Sequence, residues 1–109
     1  MFKAMIFLTR SGNLSRDEFA DWWLNRHRPL AATLPGLARH TFNLLDPGSP
    51  YDAVVEQWFT SAEARANCYE TPEGARVRAD SLENVSARVR VLVSEHAFEA
   101  PAQSASTQG

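Results

Sequence analysis

The chain of 109 residues has a single cysteine, Cys68. An intramolecular disulfide is therefore excluded, and the composition fits a reducing, cytoplasmic setting. There is no surplus of basic residues. The formal charge of −2 argues against a nucleic-acid partner, which calls for a basic face. The arginines gather at Arg26 and Arg28, and again at Arg76, Arg78, Arg88 and Arg90; such groupings are solvated faces as a rule. The five glycines form no phosphate-binding loop or dinucleotide fingerprint, and no serine sits in a nucleophile elbow. No nucleotide or flavin is expected as a built-in cofactor. The three histidines show neither an i, i+2 nor an i, i+4 spacing, so no motif brings two metal ligands together. The opening stretch Met1 to Leu8 is far shorter than the about 20 apolar residues of a membrane span. It also lacks the longer apolar run of a signal peptide, and no membrane association is expected.

What is present reads as one domain, residues 1–99, followed by a flexible tail, residues 100–109. Phe2 to Thr9 is rich in β-formers and apolar on both sides, a strand covered on both faces. Ser15-Arg16-Asp17-Glu18 is a capping box, with Leu14 placed to staple the helix start. At about 100° per residue, Phe19, Trp22, Trp23, Leu30 and Leu34 fall on one stripe of that helix. Pro29 removes an amide donor and crowds the turn before it, so a bend or break is expected there. Leu37 to Leu45 is a second strand, with Ala38, His40, Phe42 and Leu44 on one face and Arg39, Thr41 and Asn43 on the other. Asp52 to Phe59 is a third. Ser61 caps a helical segment that Thr71-Pro72-Glu73 restarts, with breaks expected near Glu70 and Gly74, running to about Asn84. Arg88 to Phe98 is the last strand. From Pro101 onward the residues are small and polar, without periodicity.

The rhythm β-α-β-β-α-β is the ferredoxin-like arrangement, an α+β fold with both helices on one face of a four-stranded antiparallel sheet. The other face is left bare. Val89, Val91 and Val93 share one side of the last strand, opposite Leu92. An apolar sheet face on so small a chain is an association surface, and a two-fold homodimer is the simplest way to cover it.

Three histidines and one carboxylate are candidates for chemistry. His27 lies about 65° from the centre of the first helix's apolar stripe, at its edge, where an imidazole can exchange protons near neutrality. The bland alternative is a capping histidine beside the Pro29 break. His40 shares its face with Phe42 and Leu44 and needs a hydrogen-bond partner there; His27 or a bound ligand would supply one. His96 closes the last strand with Leu92 and Phe98. Glu56 stands between Val54 and Trp58. Among apolar groups its pKa would be raised, while an Arg39 or Arg90 partner would make it structural. Cys68 has no activating neighbour and is read as a packing residue. Trp23, Phe42, Trp58 and Tyr69 are the aromatic candidates for lining an apolar pocket.

Several segments together resemble the EthD family. They are the opening strand, Trp22-Trp23-Leu24-Asn25-Arg26-His27-Arg28-Pro29, Leu34-Pro35-Gly36-Leu37, Glu56-Gln57-Trp58-Phe59 followed by Ser61, and Glu95-His96. The resemblance spans residues 2 to 99. It implies a dimeric α+β barrel, the group that also holds a methylmuconolactone methylisomerase, cofactor-independent monooxygenases, polyketide cyclases and haem-degrading oxygenases. His27 falls where the methylisomerase has an active-site histidine, whereas His40 stands where that enzyme has a tyrosine. The fold alone assigns no reaction. The expectation is a cofactor-independent enzyme, of isomerase or monooxygenase type, acting on a small hydrophobic oxygenated compound in a catabolic pathway. His27 and His40 would be catalytic, and Trp23, Phe42, Glu56, Trp58, Tyr69 and His96 would bind substrate. The alternatives are a non-catalytic accessory partner of an oxygenase, or a haem-binding oxygenase in which His27 or His96 is the axial ligand.

Overall fold

Nine elements follow one another in a computed structural model that describes residues 1–102. The strands are β1 (Phe2–Arg10), β2 (Leu37–Leu44), β3 (Ala53–Phe59) and β4 (Val85–Val93). They form one antiparallel sheet in the order β2-β3-β1-β4. The tail expected to be flexible lies outside the described residues from position 103.

The first helical segment begins as its capping box dictates. The Ser15 hydroxyl accepts from the Glu18 amide at 3.1 Å, and the Glu18 carboxylate accepts from the Ser15 amide at 2.8 Å. After α1 (Arg16–Trp22) the chain does not break at Pro29. It loosens earlier, into a π turn over Trp23–His27, and then resumes as α2 (Arg28–Ala31). The Arg28 amide reaches back five residues to the Trp23 carbonyl. A proline ring crowds the carbonyl four residues before it, and the wider turn makes room there. Because residues in a π turn advance by less than 100°, His27 rotates from the edge of the apolar stripe toward its middle, and it is buried.

The second helical segment divides into α3 (Ala62–Cys68) and α4 (Pro72–Asn84), capped by Ser61 and Thr71. The break near Glu70 is observed; one at Gly74 is not. Gly74 is a point of close approach, because a Cβ there would collide with the Cys68 carbonyl and the Tyr69 Cα. α4 passes into β4 without a loop, so the last strand starts at Val85 rather than Arg88 and ends five residues before Phe98.

The helices cover one face of the sheet. Ala4, Ile6 and Leu8 of β1 and Ala53, Val55, Gln57 and Phe59 of β3 point beneath them and are buried. Two groups of core side chains result. Ile6, Leu8, Phe19, Trp22, Trp23, Ala53, Val55 and Val85 form one; Ala31, Leu34, Phe59, Cys68 and Val77 form the other. The open face carries Met5, Phe7, Val54, Val89, Val91 and Val93, with Val89 and Val91 still 43% and 38% exposed. Its polar end is a closed network. The Lys3 ammonium donates to Glu56 and Glu95 at 2.9 Å each, and Trp58 Nε1 donates to Glu95 at 2.7 Å.

Gly74→Ala follows directly from this packing. In an open helix the change would stabilise by about 1 kcal/mol. Here the new methyl meets backbone that cannot move aside, and a net loss of about 1–3 kcal/mol is expected. Urea unfolding of the variant checks it; an unchanged or raised midpoint would contradict the close approach.

Candidate functional site

The seam between the two core groups holds a cavity of about 30 Å³, lined on its apolar side by Ile6, Leu8, Trp23, Ala31, Val55 and Val77. Its polar lining comes from five elements and one cap: His27 of the π turn, His40 of β2, Gln57 of β3, Ser81 of α4, Arg88 of β4, and Tyr69 after α3. That volume suits a solvent molecule or two. Tyr69 and Arg88 of this lining also reach solvent.

His27 is fixed by a partner on the other half of the fold. Its Nδ1 lies 2.8 Å from Asp80 Oδ2, and the same oxygen accepts from Trp22 Nε1 at 3.1 Å. A carboxylate only accepts, so the Nδ1 proton is on His27 and Nε2 is the nitrogen free to take one. Among the described residues Nε2 has no partner in the protein. Burial pushes the His27 pKa below its ordinary value, outweighing the pull of Asp80 in the other direction, and the Arg88 charge adds to the depression. The result is a neutral, oriented imidazole with its basic nitrogen unclaimed.

His40 faces the same cavity across Trp23, whose ring lies 5.9 Å from that of His27 and 5.5 Å from that of His40. Of the two partners expected for His40, His27 is not one: no hydrogen bond joins the two rings, and His27 bonds Asp80 through Nδ1. His40 Nδ1 is buried without a partner, as is Gln57 Oε1. Desolvation lowers the His40 pKa, with the His27 and Arg28 charges contributing. Buried polar atoms without partners are uncommon, and these two belong to residues that line one cavity.

The other candidates disperse. Phe42 stacks on Trp23, ring centroids 4.3 Å apart, and supports the cavity wall from behind. Glu56 and Trp58 lie on the open face. Glu56 does not pair with Arg39 or Arg90; it accepts from Lys3, Thr41 and Asn43, at 2.9, 2.8 and 3.1 Å. These bonds, Lys3 foremost, lower its pKa instead of raising it. His96 lies beyond the last strand, exposed, with Nε2 3.2 Å from Ser94 Oγ. Cys68 is buried, and its thiol pKa is pushed up by desolvation. Among the described residues no three His, Cys, Asp or Glu side chains gather as metal ligands, and no helix is long and apolar enough to cross a membrane. Asp80, Gln57, Ser81 and Arg88 were not among the sequence-based candidates.

A four-stranded antiparallel sheet in this order, with helices on one face and a cavity beneath them, defines a ferredoxin-like α+β protein. The chain belongs to the EthD family, whose domain matches residues 11–87. Among solved structures it is similar to an EthD-family protein from Bacillus halodurans C-125, with 20% identity, 88% of this chain and 100% of that chain covered, and a TM-score of 0.73. It is also similar to SnoaB, a cofactor-independent oxygenase from Streptomyces nogalater, with 18% identity, 89% and 94% coverage and a TM-score of 0.68. A dimeric protein of unknown function from Bacteroides fragilis has the same ferredoxin-like fold, with 12% identity, 84% and 93% coverage and a TM-score of 0.67. At these identities the likeness is one of fold. No curated protein sequence matches.

The depressed His27 pKa fixes a sign for stability. The unfolded chain binds the proton first, so stability is complete above about pH 6.5 and is lost as pH falls from there through the folded-state pKa. The His27 imidazole signal in NMR is expected to titrate below the ordinary value of 6.5, and His27→Gln to flatten the stability slope in that window. A midpoint at or above 6.5 would mean that Asp80 outweighs burial.

Proposed function

We propose that this chain is a proton-transferring enzyme acting on a small hydrophobic oxygenated compound, with His27 as the base. One observation carries the reading: a buried neutral imidazole, oriented by Asp80, leaves Nε2 unclaimed while its side chain lines a cavity. A ligand hydroxyl fits the unpaired polar atoms of His40 and Gln57, donating to Gln57 Oε1 and accepting from a protonated His40 Nδ1. His27 Nε2 takes a proton from an activated C–H or O–H, and the negative charge that develops faces the Arg88 guanidinium. Return of the proton to a different carbon is isomerisation; reaction of the anion with dioxygen is the oxygenase outcome. The likeness of fold to a cofactor-independent oxygenase supports keeping the second beside the first. Trp23 and Tyr69 remain the proposed aromatic contacts. Glu56, Trp58 and His96 fit this pocket poorly, since they stand elsewhere on the fold.

The small cavity favours one rival, a binding partner of an oxygenase without chemistry of its own. A homodimer is part of the same proposal. The open-face valines and a dimeric relative in fold support it, and the cytoplasm is the proposed location.

Deuterium uptake from heavy water, followed by mass spectrometry on a panel of enolisable ketones, lactones and phenols, tests the chemistry. His27→Gln is expected to lower the rate by about 10²–10⁴-fold. Asp80→Asn should cost a comparable factor, because an amide can hold the imidazole in the wrong tautomer. No enzyme-dependent exchange on any compound would leave the binding-partner reading ahead.

Val91→Lys tests the assembly separately. Light scattering is expected to give a dimer mass for the parent chain and a monomer mass for the variant at the same micromolar concentration.

A further inference from the structure

Tyr69, which lines the cavity, has a group of cations around its ring. The guanidinium carbons of Arg65, Arg78 and Arg90 lie 5.9, 5.7 and 5.6 Å from its ring centroid. They arrive from three elements: Arg65 from α3, Arg78 from α4, and Arg90 from β4. Arg90 is opposite the buried Ile6 in the strand register and so projects to the helix side, as does Arg88, which lines the cavity itself. Three positive charges thus lie around the Tyr69 ring, and a fourth, Arg88, lines the same cavity.

Among the described residues none of the four has a carboxylate partner; the acidic group nearest in sequence to pair with any arginine of α4, Glu73, is engaged by Arg76. Mutual repulsion is expressed in Arg90, whose pKa is lowered by desolvation first and then by the Arg65 charge. The further sign is Arg65. Its Nε and Nη2 are buried and have no acceptor, a costly state for the donors of a charged group. A guanidinium presents these two donors as one edge of its fork, the geometry that matches a carboxylate.

We propose that the Arg65–Arg78–Arg90 cluster holds the carboxylate of the substrate, so that the compound taken into the cavity is a hydrophobic oxygenated acid. The acid group sits over Tyr69 among the three guanidinium groups, and the apolar body passes the ring into the seam beside Trp23 and Val77. Arg88 is left to face the charge that develops near His27. The proposal names the substrate class for the site described above and rests on the cavity being a ligand site, but not on any proton-transfer step.

Binding distinguishes the two without turnover. Benzoate and benzamide have the same shape and differ in charge; each is titrated at constant ionic strength, with tryptophan fluorescence and the thermal midpoint as readouts. Benzoate is expected to bind at least about tenfold more tightly than benzamide, a factor within reach of charge-assisted bonds. In Arg65→Gln/Arg90→Gln that preference should vanish, while benzamide affinity stays within about twofold, a difference of less than one charge-assisted bond. Without ligand, Arg90→Gln should raise the thermal midpoint, since repulsion is relieved. If the double variant does not fold, Arg78→Gln, at an exposed position, should still lower the benzoate preference. Equal binding of the two probes, no binding of either, or a benzoate preference unaffected by the arginine changes overturns the proposal. So does an equal effect from acetate or inorganic phosphate, which would make the cluster a general anion site unrelated to the cavity. A failed deuterium-exchange experiment leaves it standing.

Discussion

One carboxylate oxygen, Asp80 Oδ2, joins the two halves of the fold. It accepts from Trp22 Nε1 and from His27 Nδ1, and so ties the first helical segment to α4 across more than fifty residues of chain. Trp22 is fully buried, where an indole N–H without an acceptor would cost about 1–3 kcal/mol. Two donors can meet one oxygen only if both side chains lie on one side of their helix. Residues 22 and 27 would be about 140° apart in a regular helix. The π turn closes that gap, leaving the two rings 4.7 Å apart. The irregular turn is therefore a condition of the site rather than a flaw beside it.

The two faces of the sheet manage charge in opposite ways. On the open face Lys3 is held charged by Glu56 first and Glu95 second, and the carboxyl pKa values are lowered in turn, that of Glu56 by Lys3 foremost and that of Glu95 by Trp58 and then Lys3. That network is satisfied and has nothing left to offer a ligand. On the helix face the cations around Tyr69 are unmatched, and both cavity histidines are kept neutral by burial. Unspent hydrogen-bonding and charge thus lie on one side of the sheet, and a closed network on the other.

Much of this fold could be read from residues alone, because its signals are local. The capping box, the alternation in β2 and β3, and the Ser61 and Thr71 caps are each visible within a few residues. The faces of β4, and of β2 from Arg39 onward, followed from period two, and the placing of Phe42 beside the first helix followed with them; the irregularity between Leu37 and Arg39 leaves Ala38 out of the register. His27 was found at the rim of its stripe because a constant 100° per residue hides a π turn. Glu56 was set on the right face but given the wrong partner, since its pairing with Lys3 depends on the β1–β3 register. Asp80 did carry a signal: it stands three residues after Val77 and one before Ser81, an acidic side chain at the edge of the buried stripe of α4. The arginine cluster carried almost none. Arg65, Arg78 and Arg90 belong to three elements, and only the folded chain brings them to one ring.

β4 is an edge strand with a different duty on each side. Its valines, Val89, Val91 and Val93, look out from the open face, while Arg88 and Arg90 look into the cavity and its rim. No loop separates it from α4, the helix that carries Asp80. One short strand therefore carries both sets of side chains. If a second subunit grips one side and a ligand the other, the two equilibria share a free energy, and each must shift the other by the same factor. Occupancy of the cavity would then be legible in the weight of the particle.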